Sequence, residues 1–260
     1  MIRSVLFLAL LPALLTAQSD DKGKQVVLDA ITALGGPRFS SLENVVESGV
    51  AYSFYRAQIT GRDNATIYTE YLDKLPEKGL AVQERQAFGK KQDYSVLLLP
   101  DQGFEITFRG ARPLADDRWK RYVATTSANI FYLLRERFSN PKMSYDFVRS
   151  DVVSNVQVNI VDITTPEDQT TRVYFDFNTK LPIRQERNEW DPIGQQRAVE
   201  VTDYSKYREV SGLEWPYVTH RERNGEVIFE IFGTHVEMNV KLPAKTFELP
   251  PGAQILKKAN

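Results

Sequence analysis

The sequence predicts an α+β fold: a long antiparallel sheet with one helix before it and another within it. Three observations point there. Short strings of β-branched and aromatic residues recur from residue 42 to residue 237, punctuated by Gly, Pro, Asn and Asp. Only two mature stretches, 20–34 and 114–138, space their apolar residues by three and four. Charged residues alternate along several strands, which fits a sheet with one wet face.

The chain opens with Met1-Ile2-Arg3-Ser4, an apolar run over 5–15, Thr16-Ala17 and then Ser19-Asp20-Asp21-Lys22. One positive charge, a short apolar run and a small residue at the break predict a secretory signal peptide over 1–17, leaving a single domain over 18–260. The run is too short to span a bilayer, which takes about 20 apolar residues. With no Cys in the chain, an N-terminal lipid anchor is not expected. The first mature helix, 20–34, presents Val26, Val27, Ala30, Ile31 and Leu34, and Gly35-Gly36-Pro37 ends it. Strands are predicted over 45–59, 65–72, 79–88, 92–99 and 104–108.

The second helix, 114–138, aligns Trp119, Tyr122, Val123, Ile130, Leu133, Leu134 and Phe138 on one face. Asp116 and Asp117 suit its positive N-terminal end, Arg135 and Arg137 its C-terminal end. A break near Thr125-Thr126-Ser127 divides it, and Asn140-Pro141 stops it. Further strands follow over 156–164, 172–177, 183–190, 196–204, 215–223 and 227–237. Turns are predicted at Asp191-Pro192-Ile193-Gly194 and at Asn224-Gly225, a pair that accepts positive φ twice and so closes a tight hairpin. The total is about ten or eleven strands.

Composition excludes much. Hydrophobic residues make up 42% of the 260, and 33 basic residues face 34 acidic ones. Disorder does not fit that balance, nor does a nucleic-acid partner, which needs a basic face. Zero Cys removes disulfides, Cys-ligated zinc and thiol nucleophiles. No Gly-x-Ser-x-Gly elbow or Gly-Lys-Ser/Thr phosphate loop occurs. His220 and His235 flank the Asn224-Gly225 hairpin at unequal offsets, so no shared metal is expected. Arg184, Arg187, Arg197, Arg221 and Arg223 interleave with Glu186, Glu189, Glu200, Glu222 and Glu226, as in cross-strand pairing on a solvated face. A transmembrane barrel is excluded because neither face of 183–190 is apolar. No enzyme, cofactor or metal is expected.

Several strings carry a resemblance: 173–184 (Val-Tyr-Phe-Asp-Phe-Asn-Thr-Lys-Leu-Pro-Ile-Arg), Asp191-Pro192-Ile193-Gly194, Val201-Thr202-Asp203-Tyr204, 210–216 ending in Trp215-Pro216, and 243–250 around Phe247. In these the chain resembles the LolA/LolB-like superfamily of periplasmic lipoprotein carriers, particularly the outer membrane lipoprotein-sorting relatives. That resemblance implies a curved, antiparallel, unclosed β-barrel with helices over its concave face. It implies a periplasmic carrier or chaperone holding lipid, or the acyl chains of lipoproteins, in an apolar cavity, with an envelope protein as a further partner. The alternative on the same fold is a non-catalytic sensor or protein-interaction module. The residues expected on the ligand face are Trp119, Tyr122, Ile130, Phe131 and Leu134 from the helix, opposite Tyr52 and Phe54.

Overall fold

The computed structural model describes residues 11–74, 79–191 and 195–258. Residues 1–10 of the expected signal, and Pro192-Ile193-Gly194 of the expected turn, lie outside them. Helix α1, Leu11–Leu34, begins earlier than the predicted residue 20. A short helix α2, Pro37–Ser40, follows. The first strands are β1 (Asn44–Tyr55), β2 (Gln58–Tyr71), β3 (Val82–Phe88), β4 (Tyr94–Leu98), β5 (Gly103–Thr107) and β6 (Gly110–Pro113). Helices α3 (Asp116–Ser127) and α4 (Ile130–Tyr132) interrupt them, and a π-helical turn, Leu133–Arg137, extends α4. The remaining strands are β7 (Ser144–Val153), β8 (Val156–Thr164), β9 (Thr170–Asp176), β10 (Pro182–Asp191), β11 (Gln196–Val210), β12 (Leu213–Arg223) and β13 (Glu226–Met238).

All 13 strands form one antiparallel sheet in the order β6-β5-β4-β3-β2-β1-β13-β12-β11-β10-β9-β8-β7. The two edges, β6 and β7, do not pair with each other, so the barrel is unclosed. The predicted ten or eleven strands fall short by β6 and β7. β6 is four residues long and contains Gly110 and Pro113, poor strand formers. β7 is an edge strand with weak alternation, exposed at Asp146, Ser150 and Val152 among others. The predicted strand 45–59 is instead a strand and a turn: Arg56 and Ala57 both have positive φ and reverse the chain into β2. Asn224-Gly225 turns as predicted, both residues with positive φ. The C-terminal segment covers one edge, where Ala111 and the backbone at Gln254 and Leu256 exchange hydrogen bonds of 2.8–2.9 Å.

One face of the sheet holds the main core. Val27, Ala30, Ile31 and Leu34 of α1 pack there with Tyr145, Val161, Ile163 and Phe175 of β7 to β9. Gly23 allows this approach: a Cβ there would stand 1.9 Å from the Tyr145 carbonyl oxygen. Lys22 of α1 also lies over the Phe147 ring, 3.5 Å from its centroid. Ile130, Phe131, Leu133 and Leu134 pack on the same face against Tyr71, Trp215 and Tyr217.

The predicted helix 114–138 divides between Ser127 and Ile130, close to the predicted break. Asn129 caps the second piece, its Oδ1 accepting from the N–H groups of Phe131 (2.9 Å) and Tyr132 (3.3 Å). Gln185 of β10 ties this junction to the sheet: its Oε1 accepts from Ile130 N–H and Tyr204 O–H, both at 2.8 Å, and its Nε2 donates to the Ala128 carbonyl at 3.3 Å.

Candidate functional site

Beside that junction, α3 and α4 leave a cavity of about 370 Å³ against the sheet. Strands β3 and β10 both line it, although six strand spacings separate them. A flat sheet would place them about 29 Å apart, so the sheet curves around the cavity. Its size falls within the roughly 300–1,000 Å³ of small-molecule sites.

Two of the seven residues expected on a ligand face line the cavity, Tyr122 and Phe131. Phe131 stacks on Trp215 (centroids 4.8 Å apart) and meets Tyr204 edge-on (5.1 Å), making an aromatic wall. Ile130 and Leu134 turn away into the main core. Trp119 packs against a second cluster formed by Val96, Leu98 and Leu114, with its ring 5.5 Å from that of Tyr122. Tyr52 and Phe54 do not line the cavity. The lining residues of β1 are Glu47 and Ala51, and alternation turns Tyr52 to the other face. There it meets Phe232 edge-on at 5.9 Å and accepts a hydrogen bond from Arg62 Nε at 3.2 Å.

The lining is graded. Ala51, Ile67, Phe88, Phe229 and Ile231 make an apolar zone. Thr219, Ile231 and Ala51 form one cross-strand row within the lining. Four residues inward along β1 from Ala51 stands Glu47, and two further Val45, which belongs to the main core. Glu84 lies at the depth of Val45, since both pair with Thr69 of β2. The carboxyl groups therefore occupy the floor.

Glu47 Oε1 is buried and has no hydrogen-bond partner. Burial pushes its pKa up to about 7, a hydrogen bond from Trp215 opposing and the nearby Glu84 adding to the rise. Glu84 is also raised by burial, against a hydrogen bond from Gln86 and the charge of Arg221. Sequence reasoning missed both, because a Glu alternating with apolar residues on a strand ordinarily marks the wet face.

Part of the predicted solvated charge pairing is instead on the cavity side. Arg187 bonds Glu200 at 2.6 Å and Glu189 at 3.0 Å, while Arg223 reaches Glu189 at 2.9 Å. The Arg187 and Glu200 side chains are only 12% and 8% exposed. The pairing register was legible; its burial was not, since α3 covers it, with Thr125 Oγ1 donating to Glu200 at 3.5 Å. Burial raises the Glu200 pKa, but Arg187, Arg221 and Arg223 outweigh it and hold the carboxyl low. Across the sheet, Arg184–Asp203 (2.6 Å) and the His220 pair with Glu222 (2.9 Å) and Glu230 (2.7 Å) are more open. His235 lies well away from His220 in register, opposite Ser48. Among the described residues no three His, Cys, Asp or Glu side chains gather as metal ligands, and no helix is long and apolar enough to cross a membrane.

Comparison with solved structures matches this architecture. A DUF1329 family protein from Desulfovibrio piger superposes with a TM-score of 0.60 at 11% identity, over 88% of this chain and 97% of that one. An outer membrane lipoprotein-sorting protein domain from Vibrio parahaemolyticus gives 0.57 at 7% identity, over 88% and 97%. The fold is LolA-like. A LolA superfamily protein from Nitrosomonas europaea adds a TM-score of 0.52 at 9% identity, over 86% of this chain and 96% of that one. No protein-family model and no curated protein matches the sequence. The resemblance read from the second half of the chain thus holds for the LolA-like fold, and identities this low speak for the fold alone.

Proposed function

We propose that this chain is an exported, non-catalytic carrier that shelters a lipid, or the acyl chains of a lipoprotein, from water in the periplasm. The observation that carries the reading is the cavity between the curved sheet and α3–α4, walled by Phe131, Trp215 and Ile231. Each methylene moved from water into such a site contributes about 0.8 kcal/mol, so a medium-length chain is held without any covalent chemistry. Tyr122 and Phe131 contact the ligand, and Trp119, Ile130 and Leu134 set the helices that present them. Residues 1–17 serve as the export signal, and the mature chain from residue 18 acts as one unit.

Solvent extraction of the purified protein followed by mass spectrometry tests this. A near-stoichiometric amphiphile is expected. Recovery of no lipid, together with capture of one stoichiometric protein, contradicts the carrier and favours the interaction module.

A further inference from the structure

The floor of the cavity has a chemistry that a plain lipid shelter does not need. Two half-buried glutamates, Glu47 and Glu84, line the cavity beside an apolar zone made by Ala51, Phe88, Phe229 and Ile231. Glu47 takes a hydrogen bond from Trp215 on one side, yet its Oε1 is buried with no donor to meet it. A buried acceptor left unmet costs about 1–3 kcal/mol, so a group that supplies the missing donor is favoured strongly. The other ionisable groups lining the cavity are Tyr71, Tyr122, Tyr132, Tyr204, Glu84 and Arg221. Among the described residues, Arg221 is the one cation of that lining. It stands nearer the hairpin end, two residues beyond Thr219, and its charge is shared with Glu200 at 3.9 Å.

We propose that the floor receives a protonated amine, so that the ligand is a cationic amphiphile entering head first, with its hydrocarbon in the apolar zone. This inference rests on the carrier reading and names the chemical class of its cargo. An ammonium supplies three donors and a charge that two buried carboxyls offset. A carboxylate head there meets like charge, and Arg221, the cation of the lining, is already shared with Glu200. The carboxyls lie toward Val45 and the main core, so the head points that way and the hydrocarbon toward Ala51 and Ile231.

The test titrates the mature protein at pH 7.5 with dodecylamine, dodecanol and dodecanoate, read by calorimetry, for the wild type, Glu47→Gln and Glu84→Gln. Dodecylamine is expected to bind about tenfold or more tighter than dodecanoate, a charge-assisted bond being roughly twice as strong as a neutral one. The amine-to-dodecanol affinity ratio should fall about tenfold in Glu47→Gln, and should fall also in Glu84→Gln, which keeps the test open if one variant does not fold. Equal or tighter dodecanoate binding, or an unchanged ratio in both variants, overturns the amine site while leaving a carrier in place. Failure of all three amphiphiles overturns the carrier reading and this inference together.

Discussion

The Glu47→Gln substitution changes one buried proton and little else in shape. With the pKa of Glu47 moved from 4.5 to about 7, the folded chain keeps a proton through a pH range where the unfolded chain has already released it. The folded state then binds more protons, so the free energy of unfolding falls as pH rises through that window. A shift of this size corresponds to about 3 kcal/mol at 1.36 kcal/mol per pKa unit, complete only above the folded value. Glutamine keeps an acceptor for Trp215 but has no charge to desolvate. Urea unfolding of wild type and variant from pH 4.5 to 8.5 reads the difference. The variant should gain on the wild type by about 3 kcal/mol across that span, equivalent to roughly 6–12 °C in Tm for a chain this long. A difference that stays constant with pH, or that shrinks toward pH 8.5, refutes the placement of Glu47 in a dry floor.

Three further outcomes follow from other contacts. Asn129→Ala should cost about 1–2 kcal/mol in urea unfolding, because the helix cap on Phe131 and Tyr132 is lost together with its bond to Tyr204. A cost under about 0.3 kcal/mol would show the cap to be idle. Gly23→Ala should destabilise even though alanine favours a helix by about 1 kcal/mol over glycine, since the new Cβ would collide with the backbone of Tyr145; any gain in stability would contradict the close packing of α1 on β7. By NMR, His220 should titrate above its ordinary value of 6.5: burial opposes the charged ring, but Glu222 and Glu230 outweigh it. Its contribution to stability is therefore present below pH 6.5 and is lost as pH rises through the folded value. Replacing both glutamates with glutamine should bring the pKa down.

Local chemistry made much of this fold legible. The first mature helix was visible because Val27, Ala30, Ile31 and Leu34 keep helical spacing, and the same residues are the ones buried. The hairpin at Asn224-Gly225 was visible because its residues tolerate the backbone it needs. Arg56-Ala57 makes a turn of the same hand with residues that give no such sign, so the first strand was read through the turn into the start of β2. The site was harder. On β1 both faces carry apolar side chains, Val45 and Ala51 on one and Val46, Tyr52 and Phe54 on the other. Alternation separates two such faces without saying which is concave. Aromatic content pointed to Tyr52 and Phe54, whereas the curved sheet and its helical cover select Glu47 and Ala51. Tyr122 lies on the apolar stripe of 114–138, Phe131 stands one residue off it beside Ile130, and both line the cavity. The buried carboxyls needed the tertiary fold, since only packing from α3 and α4 turns an alternating Glu into a desolvated one.

In the proposed carrier the space between sheet and helices is open to an apolar guest. Filling it from within is the most direct test. Ala51 and Thr219 stand in one row across β1, β13 and β12, and the double substitution Ala51→Phe, Thr219→Phe places two rings in the cavity. Binding of the neutral dye Nile red, followed by its fluorescence alongside thermal unfolding, gives the result. The wild type should bind the dye at one site, and the double variant should lose it while still unfolding cooperatively. Undiminished dye binding in a folded double variant would contradict the account.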